Sequence, residues 1–217
     1  MRRHEPFSFH CQRCGRCCHH QAIQLSPYEI LCLARHLGLD TGQFIARHTS
    51  NGGLFLRFTP QGACGFLTPE GCAAHAQRPL ACRLYPLGRD LERPGGEAFE
   101  PLERHPACAA LVGGQGRLQD YLDQQGAGRF LAALDYYLAV VERMHHILER
   151  RLPPGASLAA ATRQASACLA AQVPRASDPW LDVDGWWGPG RAQADPWRAM
   201  QGHLAALRAW LAVLKAQ

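Results

Sequence analysis

Cysteine is the residue type whose number and spacing in this sequence point most directly to chemistry. The chain has ten cysteines among 217 residues, and four of them fall between Cys11 and Cys18. Cys11, Cys14 and Cys17 are each separated by two residues, a spacing that lets successive thiolates bind one metal centre. Gly15 permits the tight turn that such wrapping requires. We therefore predict a thiolate-ligated metal site in this segment.

Eight of the cysteines share a loop-like sequence context. They fall in predicted loops or at the ends of predicted elements, near glycine or proline, where backbone amides can turn toward sulfur. The predicted metal ligands are Cys11, Cys14, Cys17, Cys18, Cys64, Cys72, Cys82 and Cys108. Cys32 and Cys168 instead fall within predicted helices, where cysteine usually behaves as a small buried hydrophobe. These two are predicted to take no part in metal binding.

The spacing of the distal cysteines bears on the identity of the metal. Seven residues separate Cys64 from Cys72, and nine separate Cys72 from Cys82. Zinc modules usually carry two separated Cys-x-x-Cys pairs, whereas single ligands from several loops suit an iron–sulfur cluster or a multinuclear iron centre. Iron is therefore favoured and zinc is the alternative. Adjacent side chains diverge in extended chain, so Cys18, which follows Cys17 directly, is predicted to serve a different iron or a second centre. The alternative is that Cys18 completes the ligand set of Cys11, Cys14 and Cys17.

Histidine and arginine side chains accompany the cysteines. His19 and His75 are reserve ligands, because imidazole replaces thiolate in some metal sites. Arg78 and Arg83 flank Cys82 in the segment RPLACR. Their charges either offset the negative charge of a thiolate-rich centre or belong to ordinary surface pairs.

The elements that carry the cysteines change along the chain. Ser26 and Glu29 have the spacing of a capping box at the start of a helix that Gly38 ends, and a second short helix is predicted near residues 41–48. Residues 53–72 contain short apolar stretches broken by glycine and proline, which predicts short strands or hairpin-like loops, and Cys82 and Cys108 follow in further short segments. After these residues, apolar side chains recur at helical spacing, apart from an irregular connection over 173–195.

These elements predict a mainly α fold. Its cysteine-rich N-terminal half, with metal-bearing loops and short strands, packs against a C-terminal set of helices. The predicted domains are residues 1–112, a cysteine-cluster metal-binding domain, and residues 113–217, a helical region packed on it. The last helix needs such cover because Leu204, Leu207 and Leu211 form one apolar face.

Composition narrows the class of protein further. Hydrophobic residues make up 47% of the chain, so a core can form without disulfides. Metal binding therefore explains the ten cysteines better than disulfide bonding does. The formal net charge of +5 comes from scattered basic residues, which argues against a nucleic-acid partner. A basic start without a following apolar segment, and no stretch of membrane-spanning length, predict a cytoplasmic protein with no membrane association. Thiols stay reduced in that compartment.

Two segments give the chain a recognisable family resemblance. FHCQRCGRCCHHQAIQLSPYEILCLARHLGL and CGFLTPEGCAAHAQRPLACRLYPL, with a further cysteine before a glycine-rich turn, resemble the YkgJ-like cysteine-cluster family over roughly residues 7–116. That family is described as zinc- or iron-chelating. The resemblance implies the same eight cysteines as ligands. The family includes flagellin lysine N-methylase-type proteins, which are associated with an iron–sulfur cluster and S-adenosylmethionine.

The function expected from the sequence is therefore metal binding, with an iron–sulfur cluster or a multinuclear iron centre serving redox chemistry or cluster-dependent protein methylation. As an enzyme the protein would be an iron–sulfur oxidoreductase or lysine methylase-like, with a protein substrate or a redox partner. S-adenosylmethionine is implied by the resemblance alone. The alternatives are a zinc-stabilised protein-interaction module without catalysis and a metal storage or delivery protein.

The segment after Cys108 departs from the family pattern. Gly113, Gly114 and Gly116 are displaced relative to the glycines of other members. A glycine-rich turn that opens a helix could bind phosphate, but neither a preceding strand nor a suitably placed acidic residue supports a dinucleotide site. A helix start is the favoured interpretation.

Overall fold

A computed structural model describes residues 1–113, 115–172, 180–187 and 195–216. Over these residues the chain is mainly helical, with short strands in its cysteine-rich N-terminal half, as the sequence predicts. The helices are α1 (Pro27–His36), α2 (Thr41–His48), α3 (Leu80–Leu84), α4 (Leu118–Gln124), α5 (Gly128–Glu149), α6 (Leu158–Gln172), α7 (Val183–Trp187) and α8 (Pro196–Ala216). None of these helices is long and apolar enough to cross a membrane.

The strands are two to four residues long: β1 (Phe9–His10), β2 (Thr49–Ser50), β3 (Phe55–Leu56), β4 (Leu67–Thr68), β5 (Gly71–Cys72), β6 (Leu87–Asp90), β7 (Ala98–Pro101) and β8 (Leu111–Val112). β3, β4 and β5 lie within residues 53–72, where the sequence predicts short strands, whereas no local pattern indicated the positions of the other five. Gly114 of the glycine-rich turn, and residues 173–179 and 188–194 of the irregular connection, lie outside the described residues.

The structure divides into two compact units. The cysteine unit consists of Met1–Gln24 and Phe55–Leu131, and the helical unit consists of Leu25–Leu54 and Ala132–Gln217. All eight predicted ligands belong to the cysteine unit. The sequence-based domains, residues 1–112 and 113–217, stay a prediction.

The start of α1 in the helical unit is the predicted capping box. The backbone N–H of Ser26 donates to the carboxylate of Glu29 over 2.6 Å, and the Ser26 hydroxyl accepts from the Glu29 N–H. Pro27 occupies the first helical position, where a missing N–H has no cost. The reciprocal bonds satisfy donors that an uncapped helix would leave unpaired.

Apolar faces of α1, α2 and α8 form the core of the helical unit. α1 packs against both other helices and buries Ile30 and Leu33 completely. On α8, the side chains of Leu204, Leu207 and Leu211 are at most 1% exposed. The apolar face that the leucine spacing predicts on this helix is therefore covered within the helical unit itself.

A buried ion pair links α1 to α7 within the helical unit. Both Nη atoms of Arg35 donate to the Asp184 carboxylate, over 2.7 and 2.6 Å. The backbone N–H of Thr41 donates to the same carboxylate, and the Thr41 hydroxyl donates to Asp182 over 2.6 Å. This network fixes the start of α2 against α7. Removing either partner of the ion pair would leave the other charge buried without compensation.

Strand pairing in the cysteine unit brings distant cysteines together. β1 pairs with β8 in antiparallel fashion, with Phe9 opposite Val112. Cys11 directly follows β1, and Cys108 lies shortly before β8. The pairing of these strands therefore brings the two cysteines into the same part of the unit. β4 pairs with β5, and β6 pairs with β7.

The first residues of the chain are bound to β7 and its neighbourhood. The N-terminal amine donates to the Phe99 carbonyl over 2.6 Å, and the Arg3 guanidinium donates to Glu97. Arg89 pairs with the same carboxylate over 2.6 Å. Burial acts to raise the pKa of Glu97, but the hydrogen bonds from the two arginines outweigh it, and the pKa lies below its usual value. The N-terminus is thus part of the cysteine unit.

Candidate metal centre

One cavity of about 80 Å³ in the cysteine unit is lined by all eight predicted ligands. They are Cys11, Cys14, Cys17, Cys18, Cys64, Cys72, Cys82 and Cys108. None of these cysteines forms a disulfide. Within the described ranges, no group of three or more Cys, His, Asp or Glu side chains is already close enough to hold a metal ion. The thiols therefore surround the cavity without meeting at one point.

The two cysteines predicted to be bystanders do not line the cavity. Cys32 lies on α1 and is 4% exposed, as predicted for a small buried hydrophobe. Cys168 on α6 is exposed, so the prediction that it is buried is wrong. The buried side of α6 runs through Ala165 and Leu169 instead. Successive residues of an α-helix lie about 100° apart around the axis, and position 168 is turned away from that side.

The N-terminal cysteines approach the cavity along a tight turn. Gly15 has a φ of 71°, in the left-handed region that glycine favours, and a Cβ added there would lie 3.1 Å from Leu67 Cδ1. A single 3-10 turn, Arg16–Cys18, follows directly, and the Cys18 N–H donates to the Gly15 carbonyl over 2.9 Å. The turn predicted from Gly15 is confirmed. It presents Cys17 and Cys18 to the cavity, whereas Cys14 before it is exposed.

The distal cysteines come from separate loops and short elements. Cys64 is 8% exposed, and its N–H donates to the Cys18 carbonyl over 2.8 Å. Cys72 ends β5 opposite Leu67, Cys82 lies on α3, and Cys108 closes a turn with His105 over 2.9 Å. All four are far along the sequence from Cys18, and folding gathers them with it at one cavity.

Thiol acidity differs among the cysteines that line the cavity. A hydrogen bond from Cys18 lowers the pKa of Cys17 to about 7, and the same pairing raises that of Cys18. The backbone N–H groups of Ala109 and Arg16 lower the pKa of Cys14. Burial raises the pKa of Cys64 and of Cys72. Since the thiolate is the metal-binding form, Cys14 and Cys17 are the readiest ligands of the set.

Of the two reserve histidines, only His75 lines the cavity. Burial and the nearby charges of Arg78 and Arg13 lower the pKa of His75 to about 4, so its imidazole is neutral at pH 7. Its Nδ1 lies 3.3 Å from a guanidinium nitrogen of Arg78, which can only donate. Nδ1 therefore accepts this contact, and the ring proton belongs on Nε2. His19 lies outside the cavity lining.

Arg78 and Arg83 turn out to have different environments. Arg78 lines the cavity, in agreement with the charge-offset hypothesis, whereas Arg83 does not line it. Arg83 is 5% exposed and donates to the carbonyls of Arg78, Ala76 and Gln125 over 2.9, 2.7 and 2.6 Å. Its guanidinium also lies 4.0 Å from the centre of the Phe130 ring. Burial rules out an ordinary surface pair for Arg83, and its hydrogen bonds fasten the loop that carries Arg78. That its charge offsets a thiolate-rich centre stays a prediction.

We expect an Arg83→Met substitution to lower the free energy of unfolding by about 3 kcal/mol, because three backbone carbonyls lose their donor. Methionine preserves contact with the Phe130 ring but cannot donate. Urea denaturation of the metal-free protein measures the change, with Arg104→Met as the matched control at an exposed arginine. A loss as small as that of the control would contradict this role.

Several side chains of the cavity lining were not predicted from the sequence. Arg13, Tyr85 and Gln125 all line the cavity. Tyr85 is part of the segment RLYPL and could have been noticed there, but nothing near Gln125 in the sequence links it to the cysteines. The Tyr121 hydroxyl donates to the Tyr85 carbonyl over 2.6 Å and so fixes the backbone of the segment that carries Tyr85.

The glycine-rich turn leads into α4, as the favoured interpretation predicts. α4 begins at Leu118, two residues after Gly116. The backbone N–H of Arg117 donates to the Asp120 carboxylate over 2.8 Å. A carboxylate therefore already occupies the start of this helix and disfavours a second anion there.

Comparison with known families agrees with this arrangement of cysteines. Residues 10–109 match the family model CxxCxxCC, described as a putative zinc- or iron-chelating domain. The match covers somewhat less than half of the chain and includes all eight cavity cysteines. No curated protein and no solved structure matches the chain. Residues 10–109 are therefore similar to the CxxCxxCC domain, whose description names zinc or iron as the metal.

Proposed function

We propose that the cysteine unit binds iron through its eight cavity thiols, as an iron–sulfur cluster or a multinuclear iron centre. The observation that carries this proposal is the common cavity. Eight cysteines from five separate segments line it, and the two remaining cysteines do not. Reduced thiols with no disulfide among them are the ligands that soft and borderline metals prefer.

The size of the cavity supports a centre with several atoms. A cavity needs roughly 10–15 Å³ to hold one water molecule, and this one has about 80 Å³. One tetrahedral zinc ion and one iron–sulfur cluster each use four thiolates, so eight thiols suit a multinuclear centre or two centres better than one single ion.

Side chains and backbone groups of the chain would have different roles in holding such a centre. The thiols would bind the metal, and the backbone N–H groups of Ala109 and Arg16 would donate to the Cys14 sulfur, which stabilises its thiolate form. An iron–sulfur centre supplies one-electron transfer when bound. Redox chemistry with a protein partner, or cluster-dependent methylation of a protein substrate, is the use that we propose for it.

A zinc-stabilised interaction module without catalysis is the second candidate. The observation that favours it is the lack of acid–base groups, because no carboxylate among the described residues contributes to the cavity lining. The imidazole of His75, which does line it, is neutral and hydrogen-bonded to Arg78. Exposed Cys11 and Cys14 would also let metal exchange, which suits a role in metal storage or delivery.

The absorption spectrum of protein purified without oxygen, together with its acid-labile sulfide content, separates these functions. An iron–sulfur centre should give a brown protein that releases sulfide on acidification. A coloured protein that contains iron without sulfide would indicate a multinuclear iron–thiolate centre. A colourless protein that contains zinc and no sulfide would overturn the iron proposal in favour of the zinc module.

A further inference from the structure

Arg78 is a partly buried cation that faces a cavity of thiols. Among the described residues, no carboxylate lies within ion-pair distance of its guanidinium. The buried or partly buried arginines Arg35 and Arg89 do pair with carboxylates, Asp184 and Glu97. A partly buried cation with no anion beside it is stabilised by a negative charge that binds nearby.

Hydrogen bonds fix the position of the Arg78 guanidinium. One Nη donates to the His75 carbonyl over 2.6 Å and also contacts the ring Nδ1, and the other Nη donates to the Gln125 side chain over 2.6 Å. All three acceptors are neutral. The Arg78 carbonyl is held in turn by Arg83, over 2.9 Å. These bonds orient the cation and leave its charge uncompensated.

We propose that Arg78 is the counter-ion of the metal centre. The cavity would then favour a centre with a net negative charge, in which the negative charge of the thiolates exceeds the positive charge of the metal. This inference rests on the proposed function, because it assumes that the cavity thiols bind metal. Four thiolates around one divalent ion leave a net negative charge, and thiolate-ligated clusters also carry one. Burial raises the pKa of the Cys72 thiol, and the nearby Arg78 charge acts in the opposite direction.

Metal release tests this role with charge-matched variants. Wild-type protein, Arg78→Gln, Arg78→Lys and Arg104→Gln are each loaded with Zn²⁺, and zinc release to excess EDTA is followed over time. We expect release from Arg78→Gln to be faster by about tenfold, in the range for residues that support metal ligands. Arg78→Lys should stay close to wild type, because it keeps the charge. The exposed Arg104 does not line the cavity, so its variant should not change release.

The lysine variant separates charge from simple anchoring. Lysine cannot form the forked bonds to His75 and Gln125, so a purely structural role predicts that it fails as glutamine does. A folded Arg78→Lys protein that releases zinc as fast as Arg78→Gln would overturn the proposal. So would an Arg78→Gln protein that releases zinc at the wild-type rate. If Arg78→Gln does not fold, the zinc release rate of Arg78→Lys relative to wild type still distinguishes a charge role, which predicts similar rates, from an anchoring role, which predicts faster release.

A second measurement uses the metal-free protein and does not depend on metal binding. Iodoacetate and iodoacetamide both alkylate the thiolate, so the ratio of their rates cancels the ionised fraction and reports the local charge. We expect the ratio at Cys72, measured by peptide mass spectrometry, to fall about threefold in Arg78→Gln. An unchanged ratio would contradict the inference.

Failure of the inference can be told apart from failure of the proposed function. If wild-type protein binds neither zinc nor iron, the proposed function fails, while the alkylation ratio still tests whether Arg78 attracts anions to the cavity. If wild-type protein binds metal and neither zinc release nor the ratio depends on Arg78, metal binding stands and the counter-ion role is wrong.

Discussion

A Cys17→Ser substitution should reduce the metal content of the purified protein by roughly tenfold or more. Cys17 lies in the 3-10 turn beside Cys18, and the hydrogen bond from Cys18 lowers its pKa to about 7, which favours the thiolate near neutral pH. Serine fills a similar volume, but its hydroxyl is a poor ligand for zinc and iron. Elemental analysis of wild type and variant, purified side by side, measures the effect.

Cys168→Ser is the matched control, because Cys168 is exposed on α6 and does not line the cavity. Its metal content should equal that of wild type. Cys32→Ala, in the core of the helical unit, should also keep the metal and cost only about 1 kcal/mol of stability for the small side chain. Equal metal loss in the Cys17 and Cys168 variants would mean that the assignment of ligands is wrong.

Removal of metal should increase hydrogen exchange in the cysteine unit by a hundredfold or more at its slowest amides, roughly 3 kcal/mol of lost protection. The strands of this unit are two to four residues long, and bonds such as Cys64 N–H to the Cys18 carbonyl hold loops together near the thiols. Metal ligation would crosslink these loops, which bury little apolar surface of their own. Exchange monitored by mass spectrometry, before and after EDTA treatment, measures the change.

The helical unit provides the internal reference for this experiment. Its core of Ile30, Leu33, Leu204 and Leu207 is completely buried and contains none of the cavity cysteines. Amides of α1 and α8 should therefore exchange at the same rate with and without metal. Equal protection of the cysteine unit in both states would show that the cysteines do not hold it together through metal.

Local sequence patterns predicted those parts of the structure that depend on neighbouring residues. The capping box of Ser26 and Glu29, and the turn at Gly15, are formed within a few positions of the chain. The apolar repeat of α8 also has a local cause, because helical spacing alone puts Leu204 and Leu207 on one face. The loop context of the cysteines was a local signal as well, and it separated the eight cavity residues from the other two. For Cys82 the predicted context was wrong, because this residue lies within the five-residue helix α3.

Contacts over long sequence distances could not be predicted in this way. Arg83 binds the Gln125 carbonyl, 42 positions away, and Gln125 reaches the cavity only through the folded chain. The exposure of Cys168 depends on which side of α6 faces the core, and the weak apolar pattern of an Ala-rich helix does not specify it. The grouping of α1 and α2 with the C-terminal helices likewise comes from packing that no local pattern encodes.

The metal content of the wild-type protein, purified without oxygen and analysed for iron and zinc, tests the central claim most directly. If the eight cavity thiols form a metal centre, each chain should contain about one or more atoms of iron or zinc that survive gel filtration. Protein that contains less than about a tenth of an atom of either metal per chain, and that takes up neither when it is supplied, would contradict the account.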